Sequence, residues 1–167
     1  MNRIQYWDEQ VSRVCLSHSY NRLQARVSRL ISRTGDGPLY ALVALGGLWL
    51  DRETSWPCVR TLLLAFALEL PLYLLLKNGF KRQRPVGLPV FITPSDRYSL
   101  PSGHTAAAFV VACVVSGFWP ALLVALFGWA MLVGASRLLL GVHYLSDLVA
   151  GALLGSGCAL LALGLEA

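Results

Sequence analysis

Five long apolar runs constrain this chain more than any other feature. They cover residues 39–50, 57–76, 104–119, 120–140 and 143–165. Each run is continuous rather than alternating, so its backbone polar groups would be satisfied inside helices and not between the strands of a lipid-facing barrel. The 56% hydrophobic and 14% charged content supports this, as does a mean hydropathy of +0.58. The expectation is a single all-α membrane domain over residues 1–167, with a transmembrane bundle of five helices across residues 38–165. The first run is shorter than the ~20 residues that a spanning helix needs, so it must borrow flanking residues or thin the bilayer locally.

Residues 8–33 read differently. Val11, Val14, Leu23, Val27, Leu30 and Ile31 recur at helical spacing, with Arg13, Arg22, Arg26, Arg29 and Arg33 between them. This predicts one basic amphipathic helix lying in the headgroup plane, in contact with anionic lipids. No cleavable signal peptide is expected, because the first thirty residues hold no apolar core of the required length. The net charge of +5 is assigned to lipid headgroups rather than nucleic acid, since no soluble module interleaves the basic residues with aromatics. Cys15, Cys58, Cys113 and Cys158 have no metal or redox spacing and read as small apolar fillers. His18 reads as a surface histidine without partners, and Glu69 as a polar group within the bundle.

Ionisable residues are costly in a membrane chain, so the places where they cluster point to function. Three clusters stand out, at 77–85, 101–104 and 136–147. Successive crossings of the bilayer bring all three to one face. Lys77, Arg84 and Arg137 supply three cations with Asp147 as their clear nearby anion, which suits a ligand carrying about two negative charges. Arginine can donate to two phosphate oxygens at once. Ser102 is placed as an N-cap, which puts the backbone donors of Gly103 and His104 at a helix start, where anions bind. His143 and Asp147 are four residues apart and are expected on one face of a helix, with the carboxylate fixing the imidazole. A neutral imidazole held in this way can attack phosphorus, and His104 can protonate the leaving oxygen and then activate water. The chemistry calls for no metal or other cofactor, and no metal-ligand spacing is present.

These motifs resemble those of the type 2 phosphatidic acid phosphatase superfamily, which also includes bacterial non-specific acid phosphatases and vanadium haloperoxidases. Lysine, six residues, then Arg-Pro is matched by Lys77, Arg84 and Pro85. Pro-Ser-Gly-His is matched by Pro101 to His104. Ser-Arg, five residues, His, three residues, Asp is matched by Ser136, Arg137, His143 and Asp147. The resemblance implies a six-helix core and a phosphohistidine on His143 oriented by Asp147. It also implies that His104 acts as acid then base, and that Lys77, Arg84, Ser102, Gly103 and Arg137 hold the phosphoryl oxygens. The implied substrate is a lipid phosphate: phosphatidate, phosphatidylglycerol phosphate, or a polyprenyl phosphate or diphosphate. The alternatives are a lipid phosphotransferase using the same intermediate and a vanadium haloperoxidase. Lys and Arg fall mostly on the face that carries the motifs, while the opposite loops keep Arg52 and Arg60. The expected location is therefore a bacterial inner membrane with the site on the cytoplasmic face.

Overall fold

The computed structural model describes residues 3–94 and 96–166. Among these residues there are seven α-helices: α1 (Arg3–Leu16), α2 (Asn21–Arg33), α3 (Gly37–Leu50), α4 (Arg52–Phe80), α5 (Gly103–Phe118), α6 (Leu123–Leu139) and α7 (Leu145–Glu166). A 3-10 turn, Pro120–Leu122, leads into α6. Helices α4 and α7, and α6 together with its leading turn, are long and apolar enough to cross a membrane; α3 and α5 are shorter apolar helices.

The amphipathic segment is two helices rather than the single one expected over residues 8–33. Its break has a local cause. The Asn21 amide donates to the Leu16 carbonyl at 3.3 Å and the Gln24 amide to the Cys15 carbonyl at 3.0 Å. Side chains thus take carbonyls that a continuous helix would have paired with its own backbone. Gln24 also bonds His18 at 2.7 Å, so His18 is exposed but not alone. The α2 helix packs on α6, with Ile31 against the core, yet its other larger apolar residues face outward. Leu23, Val27 and Leu30 are exposed, while Ala25, Ser28 and Ser32 are buried.

Helix α4 begins earlier than the second apolar run because Asp51 caps it, accepting from the Thr54 N–H at 3.2 Å. The helix runs through Pro57 and Pro71 and carries Lys77 in its last turn. Glu69 is buried within it, as expected of a polar group in the bundle.

Helix α5 is central and packs on α4, α6 and α7. Its approach to α7 depends on Gly151 and Gly155, a pair of small residues at the spacing that lets membrane helices meet backbone to backbone. A Cβ on Gly151 would lie 2.6 Å from the Ser102 carbonyl oxygen, and one on Gly155 would meet the Ala106 carbonyl group. This contact brings the start of α5 against the start of α7, where the Ser102 N–H donates to the Asp147 carbonyl at 3.0 Å.

Candidate active site

Asp147 lies in the first turn of α7, but His143 lies ahead of that helix rather than on its face. The reason is a turn at Gly141, where φ is +76° and the Pro89 carbonyl occupies the space a Cβ would need. The Asp147 Oδ2 accepts from the Tyr144 N–H at 2.8 Å, reaching back from the third helical position as in a capping box. The same oxygen faces His143 Nδ1 at 3.6 Å. That is an electrostatic contact slightly too long for a hydrogen bond, and Nδ1 has no closer partner among the described residues. Such contacts commonly tighten only when substrate is present.

The other nitrogen of His143, Nε2, lies 3.5 Å from Arg84 Nη1. Arg84 is fixed by a 2.5 Å bond to the Val142 carbonyl and by two bonds to Asp96, from Nη2 to Oδ1 at 2.5 Å and from Nε to the carbonyl at 3.1 Å. Lys77 Nζ donates to Asp96 Oδ2 at 2.8 Å and to the Tyr73 hydroxyl at 2.6 Å, and that hydroxyl donates to Asp96 Oδ2 at 2.9 Å. A carboxylate of the 81–102 connection therefore sits on two of the three cations assigned to phosphate. Burial alone would raise the Asp96 carboxyl, but the bonds from Lys77, Tyr73 and Arg84 hold it below its ordinary range.

Ser102 and His104 stand at the start of α5 as expected, with Gly103 as its first residue. The Ser102 side chain does not cap the helix; its hydroxyl accepts from Thr105 at 2.9 Å. Gly103 packs against the Tyr73 ring, which a Cβ would approach to 3.1 Å. His104 Nε2 lies 3.1 Å from Asp36 Oδ1, at the entry to α3. Arg137 is buried, with Nη1 donating to the Ser32 hydroxyl at 2.7 Å and Nε without a partner among the described residues. His104, Arg137 and Asp36 line a cavity of about 250 Å³. A second cavity, about 360 Å³, is lined by Arg82, Arg84 and Tyr144.

Burial pushes the His143 imidazole down to about 4, and Arg84 and Arg137 add to the effect while Asp147 opposes it. That position favours the neutral ring at ordinary pH. Arg84 beside His143, Arg137 and His104 lining one cavity, and Ser102 bonded to the Asp147 carbonyl bring the three sequence clusters together. The charge balance differs from the expectation, however. Asp147 is not the clear anion among three cations, because Asp96 and Asp36 are also present. Both are isolated aspartates in connections without periodicity, and nothing in their local sequence singles them out. Tyr73 and Arg82 likewise carry no motif signal, although Arg82 falls in the same basic stretch as Lys77 and Arg84.

The chain belongs to the PAP2 superfamily, whose profile matches residues 59–166. With its apolar helices and these relatives, it is an integral membrane protein. Among solved structures it is similar to LpxE of Aquifex aeolicus, at 29% identity and a TM-score of 0.79, with 93% of each chain covered. It is also similar to the first transmembrane PAP2 type phosphatidylglycerolphosphate phosphatase from Bacillus subtilis. That match has 26% identity and a TM-score of 0.80, and covers 99% of this chain and 87% of the other.

Proposed function

We propose that the protein hydrolyses a phosphate monoester or diphosphate on a membrane lipid through a phosphohistidine on His143. One observation carries this reading: the His143 nitrogen turned away from Asp147 opens onto Arg84, within a group of cations already holding an anionic side chain. The substrate phosphoryl oxygens take over the bonds that Lys77 and Arg84 make to Asp96, joined by Arg137 and the donors at Ser102 and Gly103. His143 Nε2 forms the bond to phosphorus as the P–O bond to the lipid breaks, and Asp147 stabilises the imidazolium. His104 gives its proton to the leaving oxygen, and the 250 Å³ cavity beside it receives that end of the lipid. Water then attacks phosphorus, His104 takes its proton, and the N–P bond breaks. No step calls for a metal. Superfamily membership and a neighbour named as a phosphatidylglycerolphosphate phosphatase support a lipid phosphate as substrate.

In this reading α3 to α7 span the membrane. Helices α1 and α2 lie at its surface, with Leu23, Val27 and Leu30 toward lipid and the exposed Arg13, Arg22, Arg26, Arg29 and Arg33 near anionic headgroups. The basic face is cytoplasmic and the membrane is a bacterial inner membrane. A cysteine at Val86, 85% exposed in the 81–102 connection, tests the side. In a Cys15→Ser background it is expected to react with an impermeant maleimide in inside-out vesicles and not in right-side-out ones.

The chemical test uses purified protein in detergent against a panel of lipid phosphates. Phosphate release from at least one is expected, abolished by His143→Ala and strongly lowered by His104→Ala, while acid-labile phosphoryl label appears on His143 in rapidly quenched wild-type protein and not in His143→Ala. Full activity in the His143 variant would defeat the mechanism. Transfer of label to an added lipid alcohol would instead identify a phosphotransferase, and halide oxidation with bound vanadate a haloperoxidase.

A further inference from the structure

Asp147 has a second oxygen that the mechanism above does not use. Its Oδ1 accepts from Arg82 Nη1 at 2.8 Å. The other terminal nitrogen of Arg82 donates to Asp8 Oδ2, on α1, at 2.6 Å. The link is closed on both sides by Ser146, whose hydroxyl accepts from Arg82 Nη1 at 2.5 Å and donates to Asp8 Oδ2 at 2.5 Å. The Ser146 N–H donates to Asp8 Oδ1 at 3.0 Å, so the α1 carboxylate also caps the first turn of α7 from outside. The Arg82 guanidinium lies over the Tyr144 ring, 4.4 Å from its centre. Asp8 is 4% exposed and Asp147 is fully buried.

This arrangement is not what a surface anchor requires. A buried carboxylate on an amphipathic helix costs free energy unless it is paired, and here its partners are Arg82, in the connection after α4, and Ser146, three residues beyond His143. Asp8 also lies outside residues 59–166, the part that matches the superfamily. We propose that Arg82, gripped between Asp8 and Asp147, is a positioning residue for His143, and that α1 belongs to the active site through it. The proposal rests on the reading of His143 as nucleophile.

Two effects follow from the geometry. The guanidinium fork fixes Asp147 through Oδ1, leaving Oδ2 aimed at Tyr144 N–H and His143. It also offsets the negative charge that Asp147 presents to the imidazole. The other charges facing His143 are Arg84 from the connection after α4 and Arg137 from α6. Lys77, in the last turn of α4, is coupled to Asp147 as well. Removing Arg82 takes away a cation and unmasks a carboxylate, and both changes favour the imidazolium.

The test combines kinetics with a substrate-free measurement. In full-length protein with labelled histidine, assigned through His18→Gln and His104→Gln, His143 is followed by NMR against pH. Arg82→Gln is expected to raise its midpoint by about one pH unit. The same change should lower kcat about 10- to 100-fold, with KM changed far less. Arg82→Lys keeps the charge but not the fork, so it should restore the midpoint and only part of kcat. Asp8→Asn should lower kcat several-fold in the parent and have no further effect on top of Arg82→Gln. An unmoved His143 midpoint in Arg82→Gln, or independent losses from the two sites, would overturn the proposal. Should Arg82→Gln not fold, Asp8→Asn with unchanged kcat has the same force. A wild-type protein that hydrolyses no lipid phosphate would refute the proposed function, while the titration would still decide the role of Arg82.

Discussion

Adding one methyl group to α7 at chosen glycines should separate a site held by close backbone packing from one that tolerates looser helices. At Gly151 a Cβ would lie 2.6 Å from the Ser102 carbonyl oxygen, 3.2 Å from Thr105 Cβ and 3.3 Å from the Ala106 nitrogen. Two of these atoms are backbone and cannot rotate away. Relief to the 3.0 Å that real Cβ contacts require moves α5 from α7 by about 0.4 Å, the difference between 3.0 and 2.6. Overpacking of this kind costs about 1–3 kcal/mol, offset by about 1 kcal/mol from replacing glycine with alanine in a helix. A net loss of up to about 2 kcal/mol should lower Tm by up to roughly 6 °C in a chain of this size. The displaced atoms belong to Ser102, whose N–H bonds the Asp147 carbonyl at 3.0 Å. Since a misplacement near 1 Å costs about a hundredfold in rate, Gly151→Ala should lower kcat about five- to tenfold. Gly155→Ala should be worse for stability, because its Cβ would meet the Ala106 carbonyl carbon at 2.9 Å as well as the oxygen. Gly157 and Gly164 have nothing within 4 Å of their would-be Cβ, so alanine there should leave both quantities at or slightly above wild type. Phosphate release in detergent and thermal unfolding of the same preparations measure the two effects. Full activity and stability in Gly151→Ala, or equal damage from Gly157→Ala, would refute the claim that the α5–α7 contact sets the geometry of the site.

Asp96→Asn should free Lys77 and Arg84 for an external anion. Loss of one charged competitor, worth about 1.4 kcal/mol, predicts inhibition by vanadate at about tenfold lower concentration; weaker inhibition would mean that Asp96 organises the cations rather than competing for them. The buried imidazole of His143 gives a pH dependence of defined sign. Its position at about 4, below the 6.5 of an unfolded histidine, means that the unfolded chain binds the extra proton between those values. Stability then falls as pH is lowered from 6.5 toward 4 and levels off below, by about 3 kcal/mol in all. The difference between wild type and His143→Gln in thermal unfolding against pH isolates this contribution, and equal slopes in the two proteins would contradict it.

Much of the site could be read along the chain because its parts are local. Lys77 and Arg84, Ser102 to His104, and Arg137 to Asp147 each lie within a dozen residues, and alternate crossings of a bilayer bring such clusters to one face. The apolar runs likewise located five helices, since continuous hydrophobicity is a property of sequence. The α7 glycine pair lies in plain view in the sequence, but a four-residue glycine spacing is informative only once the facing helix is known.

The sequence by itself determined the residue types, a membrane-embedded helical chain and the three polar clusters. Tertiary structure decided what surrounds them. Asp36 meets His104 across 68 positions, and Asp8 meets Ser146 across 138. A lone aspartate in a turn or on a polar helix face has no periodic or motif signal to mark it. Its role depends on which distant donor the packing of helices brings within about 3 Å, where a buried carboxylate can be satisfied.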